Sequence, residues 1–374
     1  SNAPFNTSAY GQQTALFVPR INTSGHEVAA IAAPYTFGGA VLEWESIPLL
    51  PSVRDVAGTD VIAANYDYFK ADLMISLCDP FRLLAAAGDL AQINWAPWFP
   101  VDCEPLSSPD VTVLREGQGI PIAMSRFGER VLRDEGAEPM FCPHAVDTQV
   151  FCPGDPEPYR ETVPGIGPDT FVIGICAMNR GRRKGFDQQL LAFSRFHARH
   201  PDSFLALHTA PVGPSPSVNL PGLAAQLGIS GAVAFPEAYL YDTGQITAGM
   251  MAAWYRGLDV LSLCSYGEGF GVPLIEAQAC GTPVICTDGS AMSELCGAGW
   301  VVSSTPDWED GHCAWWRRPD AEDIEQAYEA AWQAREDGML PKKAARDFGE
   351  LFDIDRVFQQ YMVPVLKELE NRIG

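Results

Sequence analysis

The feature that most constrains this chain is the regular alternation of short, continuous apolar runs with segments of helical period. In the second half the runs are FVIGICA (171–177), SFLALH (203–208), AVAF (232–235), DVLSLC (259–264), PVICT (283–287) and GWVV (299–302). Between them lie DQQLLAFSRFHARH, PGLAAQLG, AGMMAAWYRG and VPLIEAQA. A strand that is apolar on both sides must be covered on both faces, and intervening helices supply the covers, so the pattern predicts a parallel, doubly wound sheet. HEVAAIAA (26–33), DLMISL (72–77), AQINW (91–95) and IPIAM (120–124) predict a first sheet of the same kind, with helices at TALFVPRI, TDVIAANYDYF and RFGERVLRDEG. The fold class is α/β, with two Rossmann-like doubly wound domains. Two such domains facing each other leave a cleft, and ligands of these sheets bind at the carboxyl ends of the strands.

A length of 374 residues also suggests two domains. PGDPEPYRETVPGIGPD interrupts the alternation, is dense in proline and glycine, and reads as a linker. It separates an N-terminal domain over 1–155 from a C-terminal domain over 165–350. In AEDIEQAYEAAWQARE, Ile324, Ala327, Tyr328, Ala331 and Trp332 fall at helical spacing. A terminal helix, VFQQYMVPVLKELE, follows a break near Gly349, and 353–374 is expected to complete the N-terminal domain.

The net charge of −22, from 47 acidic and 25 basic residues, argues against a nucleic-acid surface and against strong binding to anionic lipid. A local basic pocket for a small phosphate stays compatible with it. No apolar run approaches the roughly 20 residues of a membrane span, so no integral membrane segment is expected. No signal peptide is visible, and the expected location is the cytoplasm. The ten cysteines form no C-x-x-C pair, and several lie inside apolar strands. They read as buried free thiols in a reducing compartment.

The stretch YGEGFGVPLIEAQACGTPVICTD (266–288) carries the chemistry. A strand ends at Cys264, a glycine-rich turn follows, and a helix starts at Val272 with Pro273 where a missing N–H costs nothing. Gly271 is the expected N-cap and offers no side-chain acceptor, so the first helical N–H groups and the helix dipole make a site for a phosphate. Glu276 lies about one turn into the helix, where it would repel a phosphate in contact but could accept two hydroxyl hydrogen bonds from a ribose. Glu268, on the loop, could reach another polyhydroxylated group. Phosphate, ribose and sugar together describe a nucleotide-sugar.

This stretch resembles the E-x7-E region of retaining glycosyltransferases of the GT-B fold, the group 1 or family 4-like enzymes. The resemblance implies that Glu276 holds the nucleotide ribose and Glu268 the donor sugar, while Phe270, Gly271 and Val272 meet sugar hydroxyls and the diphosphate. FVIGICAMNRGRRKGFDQQLLAF resembles the family's G-R-x4-K-G segment, with Lys184-Gly185 as the K-G. Asn179 stands where the family arginine is expected, and Arg180, Arg182 and Arg183 are the candidates to supply the missing charge. A fixed cation there stabilises the leaving diphosphate as the glycosidic bond breaks. MFCPHAVDTQVF resembles the family's domain junction, which makes His144 a junction residue. TSAYGQQTALF resembles the glycine loop opening the first helix, with Gly11 as the match, although the six residues before it are few for the strand the family places there. Asp102, in NWAPWFPVDCEPL, is the candidate to face the donor sugar, with a loop cap as the alternative. His208 reads as a core histidine.

The resemblance implies a retaining transfer of a hexose from a UDP- or GDP-linked sugar to an acceptor hydroxyl. Glu268, Lys184 and Asp102 are the catalytic candidates, and the nucleotide-sugar is a co-substrate rather than a cofactor. No metal is implied, because the only D-x-D, Asp353-Ile354-Asp355, reads as a helix start. A glycoside hydrolase using the two glutamates would need no anion site. A nucleotide-sugar epimerase would turn over without an acceptor. A catalytically inactive nucleotide-sugar-binding subunit would fit Asn179 but not the retention of both glutamates and Lys184.

Overall fold

A computed structural model describes residues 1–33, 39–55 and 57–373. The chain divides into two units: Ser1–Ala145 with Glu309–Ala314 and Ile354–Gly374, and Val146–Trp308 with Trp315–Asp353.

The C-terminal unit is built on a six-stranded parallel sheet. Its spatial order is Val233–Ala234, Ser203–His208, Phe171–Cys176, Val260–Leu263, Val284–Thr287 and Gly299–Val302. Cys176 pairs with His208, Leu261 with Gly174, and Leu263 with Cys286. Phe171, Ile173, Ile175, Leu205 and Leu207 pack with Phe186, Leu190 and Phe193 of the following helix and with Ile324 and Tyr328 of helix Ala321–Glu336. These continuous apolar runs are central strands because both of their faces are covered. Two antiparallel strands outside the sheet, Ser304–Glu309 and Ala314–Pro319, form a hairpin that the apolar-run pattern does not reveal, since the first has no buried residue and the second is buried only at Ala314, Trp316 and Pro319.

In the N-terminal unit, Met74–Leu77, Trp95–Phe99, Ile122–Ala123 and Met140–Phe141 form a parallel sheet. The second of these lies four residues beyond the expected 91–95. WAPWF is buried throughout, and Pro97 is tolerated because it pairs only with Ser76, on one side of the strand. A separate three-stranded sheet joins Ala30–Ile31, Ile47–Leu50 and Leu42–Trp44. The apolar run 26–33 yields only two strand residues, followed by a parallel bridge between Ala33 and Asn2. Before Gly11 only Asn2 is bridged among the described residues; a turn follows, with Asn6 N donating to the Ala3 carbonyl at 2.9 Å, and the helix starts at Ala9.

The proline-rich stretch expected as a linker lies inside the C-terminal unit. Glu157–Arg160 is a helical turn, and buried Arg160 donates to the carbonyls of Gly257 and Thr170 and to Asp259 at 2.8 Å. The terminal helical segment runs through a π turn at Phe358–Met362 into Val363–Ile373. Pro364 cannot donate to the preceding turn, and a widened turn at that point accommodates it. No helix among the described residues is long and apolar enough to cross a membrane. All ten cysteines are unbridged.

Candidate active site

The strand order reverses between Phe171–Cys176 and Val260–Leu263: the chain moves outward through two strands on one side before returning to fill the other. Such a switch point leaves a crevice at the carboxyl ends of the two strands. The segments leaving those ends are 177–185, with the cationic run, and 264–271, with the glycine-rich turn.

Gly185 locks the two segments together. It caps helix Phe186–Arg199 with φ of 60°, and a Cβ there would stand 2.4 Å from the carbonyl oxygen of Cys264. Only glycine lets Lys184 sit this close to the end of the neighbouring strand. Gln189 reinforces the join, donating to the Lys184 carbonyl at 2.9 Å and accepting from Cys264 N at 3.2 Å.

Glu268 is the centre of the resulting cluster, with 8% of its surface exposed. Lys184 Nζ lies 2.6 Å from Oε1, Arg183 lies 3.4 Å from Oε2, and Ser265 Oγ donates to Oε1 at 2.6 Å. Burial pushes this carboxyl up, but Lys184 and Arg183 outweigh it and bring the pKa down to about 2. Glu268 is thus a fixed anion. Its main chain is held as well, with N–H donating to Ser290 Oγ at 3.0 Å, and Arg183 also donates to the Gly267 carbonyl at 2.6 Å.

The turn continues through Phe270, whose ring packs edge-on against Phe352, to Gly271 at φ of 109°. Gly271 caps helix Val272–Ala279 without a side-chain hydrogen bond. Seven of the eight residues of this helix are buried, Glu276 among them. Its Oε2 accepts from Tyr255 Oη at 2.7 Å. Burial raises the Glu276 pKa to about 7, and the tyrosine hydrogen bond only partly opposes it. Tyr255 lies on helix Ala248–Arg256, and its own carbonyl is fixed by Thr282 Oγ1 at 2.8 Å. Two glutamates eight residues apart therefore hold opposite protonation tendencies within one turn and helix.

The structure does not bring every predicted residue to this cluster. Asn179 is 1% exposed and pins the loop before helix Leu220–Gln226, donating to the Ala210 and Val218 carbonyls and accepting from Val218 N at 3.0 Å. Arg180 is exposed, and Arg182 pairs with Asp307 at 2.8 Å beside the hairpin. Of the three arginines offered for the missing charge, Arg183 is the one at Glu268. Gly11 lies in the first turn of helix Ala9–Thr23, where its N–H is taken by Ser8 Oγ at 3.2 Å. Asp102 belongs to the N-terminal unit, where its carboxylate stands with Cys103 and His312. His144 is buried edge-on against Trp98, and burial lowers its pKa to about 3. His208 packs against Tyr241 and Trp254, and burial lowers its pKa to about 4. Asp353 accepts from Thr148 at 2.5 Å and Asp355 forms an exposed ion pair with Arg20 at 2.8 Å.

Sequence reasoning missed Tyr255, Ser265 and Ser290. MAAWYRG reads as an ordinary buried helix face, and nothing in its period marks a tyrosine whose hydroxyl meets a carboxylate. The serines are short polar residues in turns near glycines, indistinguishable from turn formers.

Residues 170–327 match the family described as "Glycosyl transferases group 1". A D-inositol 3-phosphate glycosyltransferase 2 of Catenulispora acidiphila is 38% identical over 146 residues, 37% of this chain and 32% of the relative. The chain spans about a third of the length of the first curated relatives it matches. Among solved structures, sucrose-phosphate synthase from Thermosynechococcus elongatus superposes with a TM-score of 0.74 at 17% identity, covering 97% of this chain and 92% of the other. HepE of Anabaena in complex with UDP-glucose gives a TM-score of 0.65 at 16% identity and 86% coverage of each chain.

Proposed function

Residues 170–327 belong to the group 1 glycosyltransferases within a chain of GT-B fold, and on that premise we propose that the protein is a retaining glycosyltransferase. It moves a hexose from a UDP- or GDP-linked sugar to an acceptor hydroxyl and needs no metal for the transfer. The observation that carries this reading is the Glu268–Lys184–Arg183 cluster at the switch point, next to a helix whose glycine N-cap leaves its first turn open to an anion. A hydrolytic carboxylate pair needs neither the cations nor the anion site, and a carboxyl held at about 2 would be a poor general acid.

In the proposed reaction the helix amides, Lys184 and Arg183 hold the donor diphosphate, Glu276 accepts the ribose hydroxyls, and Glu268 orients the hexose. Phe270, Gly271 and Val272 offer main chain to the sugar and phosphates. The bond from C1 to the β-phosphate oxygen breaks as the acceptor oxygen attacks C1 from the same face. The acceptor proton passes to a phosphate oxygen of the leaving diphosphate, so no protein nucleophile is required. Lys184 and Arg183 neutralise the charge that develops on the leaving group, and fixed donors in a dry site are worth several kcal/mol there. Asn179 fixes the loop before helix Leu220–Gln226 within the same unit, and Gly11 and Asp102 belong to the N-terminal unit.

Binding of UDP, GDP and ADP and of their sugar conjugates, followed by thermal shift with and without magnesium, tests the donor. UDP-glucose is the first to try, since HepE is solved with it, and inositol 3-phosphate is the first acceptor, from the names of the curated relatives. Stabilisation by one nucleoside diphosphate without metal, and transfer with the anomeric configuration kept by proton NMR, supports the reading. Turnover of the donor without acceptor would support an epimerase instead. Binding without any turnover would support an inactive subunit.

A further inference from the structure

We propose that Asp102, Cys103 and His312 form a binding site for one borderline transition-metal ion of the zinc class. The carboxylate, thiol and imidazole donor atoms all lie within 4.8 Å of one another. A tetrahedral ion with a metal–sulfur bond of about 2.3 Å and metal–nitrogen or –oxygen bonds of about 2.0–2.2 Å has ligand-to-ligand edges of roughly 3.3–3.6 Å. The trio therefore closes on an ion through side-chain movements of about an ångström.

The main chain holds the three residues in place. Asp102 and Cys103 follow strand Trp95–Phe99, and Cys103 is buried. His312 is 209 positions further along, in Glu309–Ala314, a segment of the same N-terminal unit. Ser108 N donates to the His312 carbonyl at 3.0 Å, fastening this segment to the start of helix Ser108–Gly117. The Glu309 carboxylate accepts from His312 N at 2.8 Å and stands 3.7 Å from its Nδ1. A carboxylate beside the ring is the usual companion of a metal-bound histidine, because it fixes the ring's orientation and raises its basicity.

The donor set selects the ion. Thiolate and imidazole favour zinc and its neighbours over magnesium or calcium, which prefer all-oxygen shells. Binding converts the Cys103 thiol to a thiolate and releases its proton to solvent. Three protein ligands leave a fourth position for water. This site is independent of the glutamate cluster, whose residues all belong to the C-terminal unit.

The test is a titration of chelator-stripped protein with Co²⁺. One equivalent should bind with a near-ultraviolet thiolate-to-cobalt band and the visible bands of a tetrahedral ion, all removed by one equivalent of Zn²⁺. Cys103→Ser should abolish the near-ultraviolet band. His312→Gln should weaken binding by about tenfold or more, and Glu309→Gln by about tenfold. Cys313→Ser, which removes the exposed neighbouring thiol, should leave the spectrum unchanged. If metal-free Cys103→Ser loses the far-ultraviolet dichroism of the parent, the His312→Gln and Asp102→Asn titrations decide, since neither touches the buried thiol. No band in the parent protein, a band that survives in Cys103→Ser, or one lost in Cys313→Ser would overturn the proposal, as would parent-like affinity in both His312→Gln and Asp102→Asn.

Discussion

Replacing Glu276 by glutamine should make the ligand-free protein more stable at neutral pH while weakening its hold on a nucleotide. The folded-state pKa of Glu276 is raised from 4.5 to about 7 by burial. Below pH 4.5 the carboxyl is protonated in both the folded and unfolded chain, and the shift has no effect on stability. Between pH 4.5 and 7 the unfolded chain releases its proton first, so folding is progressively penalised, and above pH 7 the penalty is complete. A shift of this size corresponds to about 3 kcal/mol. In a unit of this length that is roughly 6–12 °C in Tm, at about 2–4 °C per kcal/mol. Glu276→Gln keeps an oxygen to accept from Tyr255 but never ionises. Its extra amide N–H adds an offset that does not vary with pH, so the informative quantity is the change in the Tm difference between pH 4.5 and pH 8. That difference should move by roughly 6–12 °C in favour of the variant. A difference that stays flat across this range would refute the claim that a charge is buried at Glu276. Nucleoside diphosphate affinity should show the other side of the exchange. At pH 6 about a tenth of the parent molecules carry the carboxylate that receives the ribose, so Kd should be about tenfold weaker than at pH 8. The diphosphate's own titration is common to both proteins and cancels in the parent-to-variant ratio.

Tyr255→Phe removes the one hydrogen bond that lowers the Glu276 pKa, so the midpoint of pH-dependent nucleotide binding should move upward, a change that loss of packing alone would not produce. Lys184→Met leaves Glu268 buried beside Arg183 alone; it should destabilise the protein by about 3 kcal/mol at neutral pH, and Lys184→Met/Glu268→Gln should recover most of that, measured by thermal melting. Because the Glu268 pKa is lowered to about 2, its stabilising contribution is complete above pH 4.5 and lost as pH falls through about 2; an acid-denaturation profile unchanged in Glu268→Gln would contradict this. Asp259→Ala strands Arg160 and the Val172 N–H in the interior and should cost about 3 kcal/mol or more, read as a fall in Tm.

The sheet of the C-terminal unit was legible in the sequence because every central strand there is a continuous apolar run, and being covered on both sides is the one burial state that leaves such a mark. Where burial is partial, as in Ser304–Glu309 and Ala314–Pro319, or where proline interrupts the run, as in Trp95–Phe99, the mark is weak and the elements were missed or shifted. The proline-rich stretch 153–170 shows the converse. Its composition signals a linker, but a single buried arginine, Arg160, binds it into the C-terminal unit through Asp259 and two carbonyls. One long-range ion pair overrides a local compositional signal.

The two glutamates show why the site's chemistry was only half visible. Glu268 and Glu276 share one residue type, one turn–helix unit and similar burial, and sequence spacing assigns them to different parts of a ligand without distinguishing their charge states. The distinction comes from partners that the fold delivers from elsewhere: Lys184, 84 positions away, holds one carboxyl at about 2, and Tyr255, 21 positions away, leaves the other at about 7. Lys184 was legible because Lys184-Gly185 matches the K-G of the family segment it resembles, and the close passage of Gly185 against the Cys264 carbonyl makes that glycine obligatory. Tyr255 was not, since a tyrosine on an apolar helix face looks the same whether its hydroxyl meets a carboxylate or a main-chain carbonyl. The same division governs what the site does in the proposed transfer. A carboxylate already paired with cations needs no further cost to stay charged beside a sugar, whereas one kept near neutrality by burial gains most from a ligand that brings hydroxyl donors. Nucleotide binding should therefore be coupled to release of the Glu276 proton, at pH values where Glu268 has no proton left to lose.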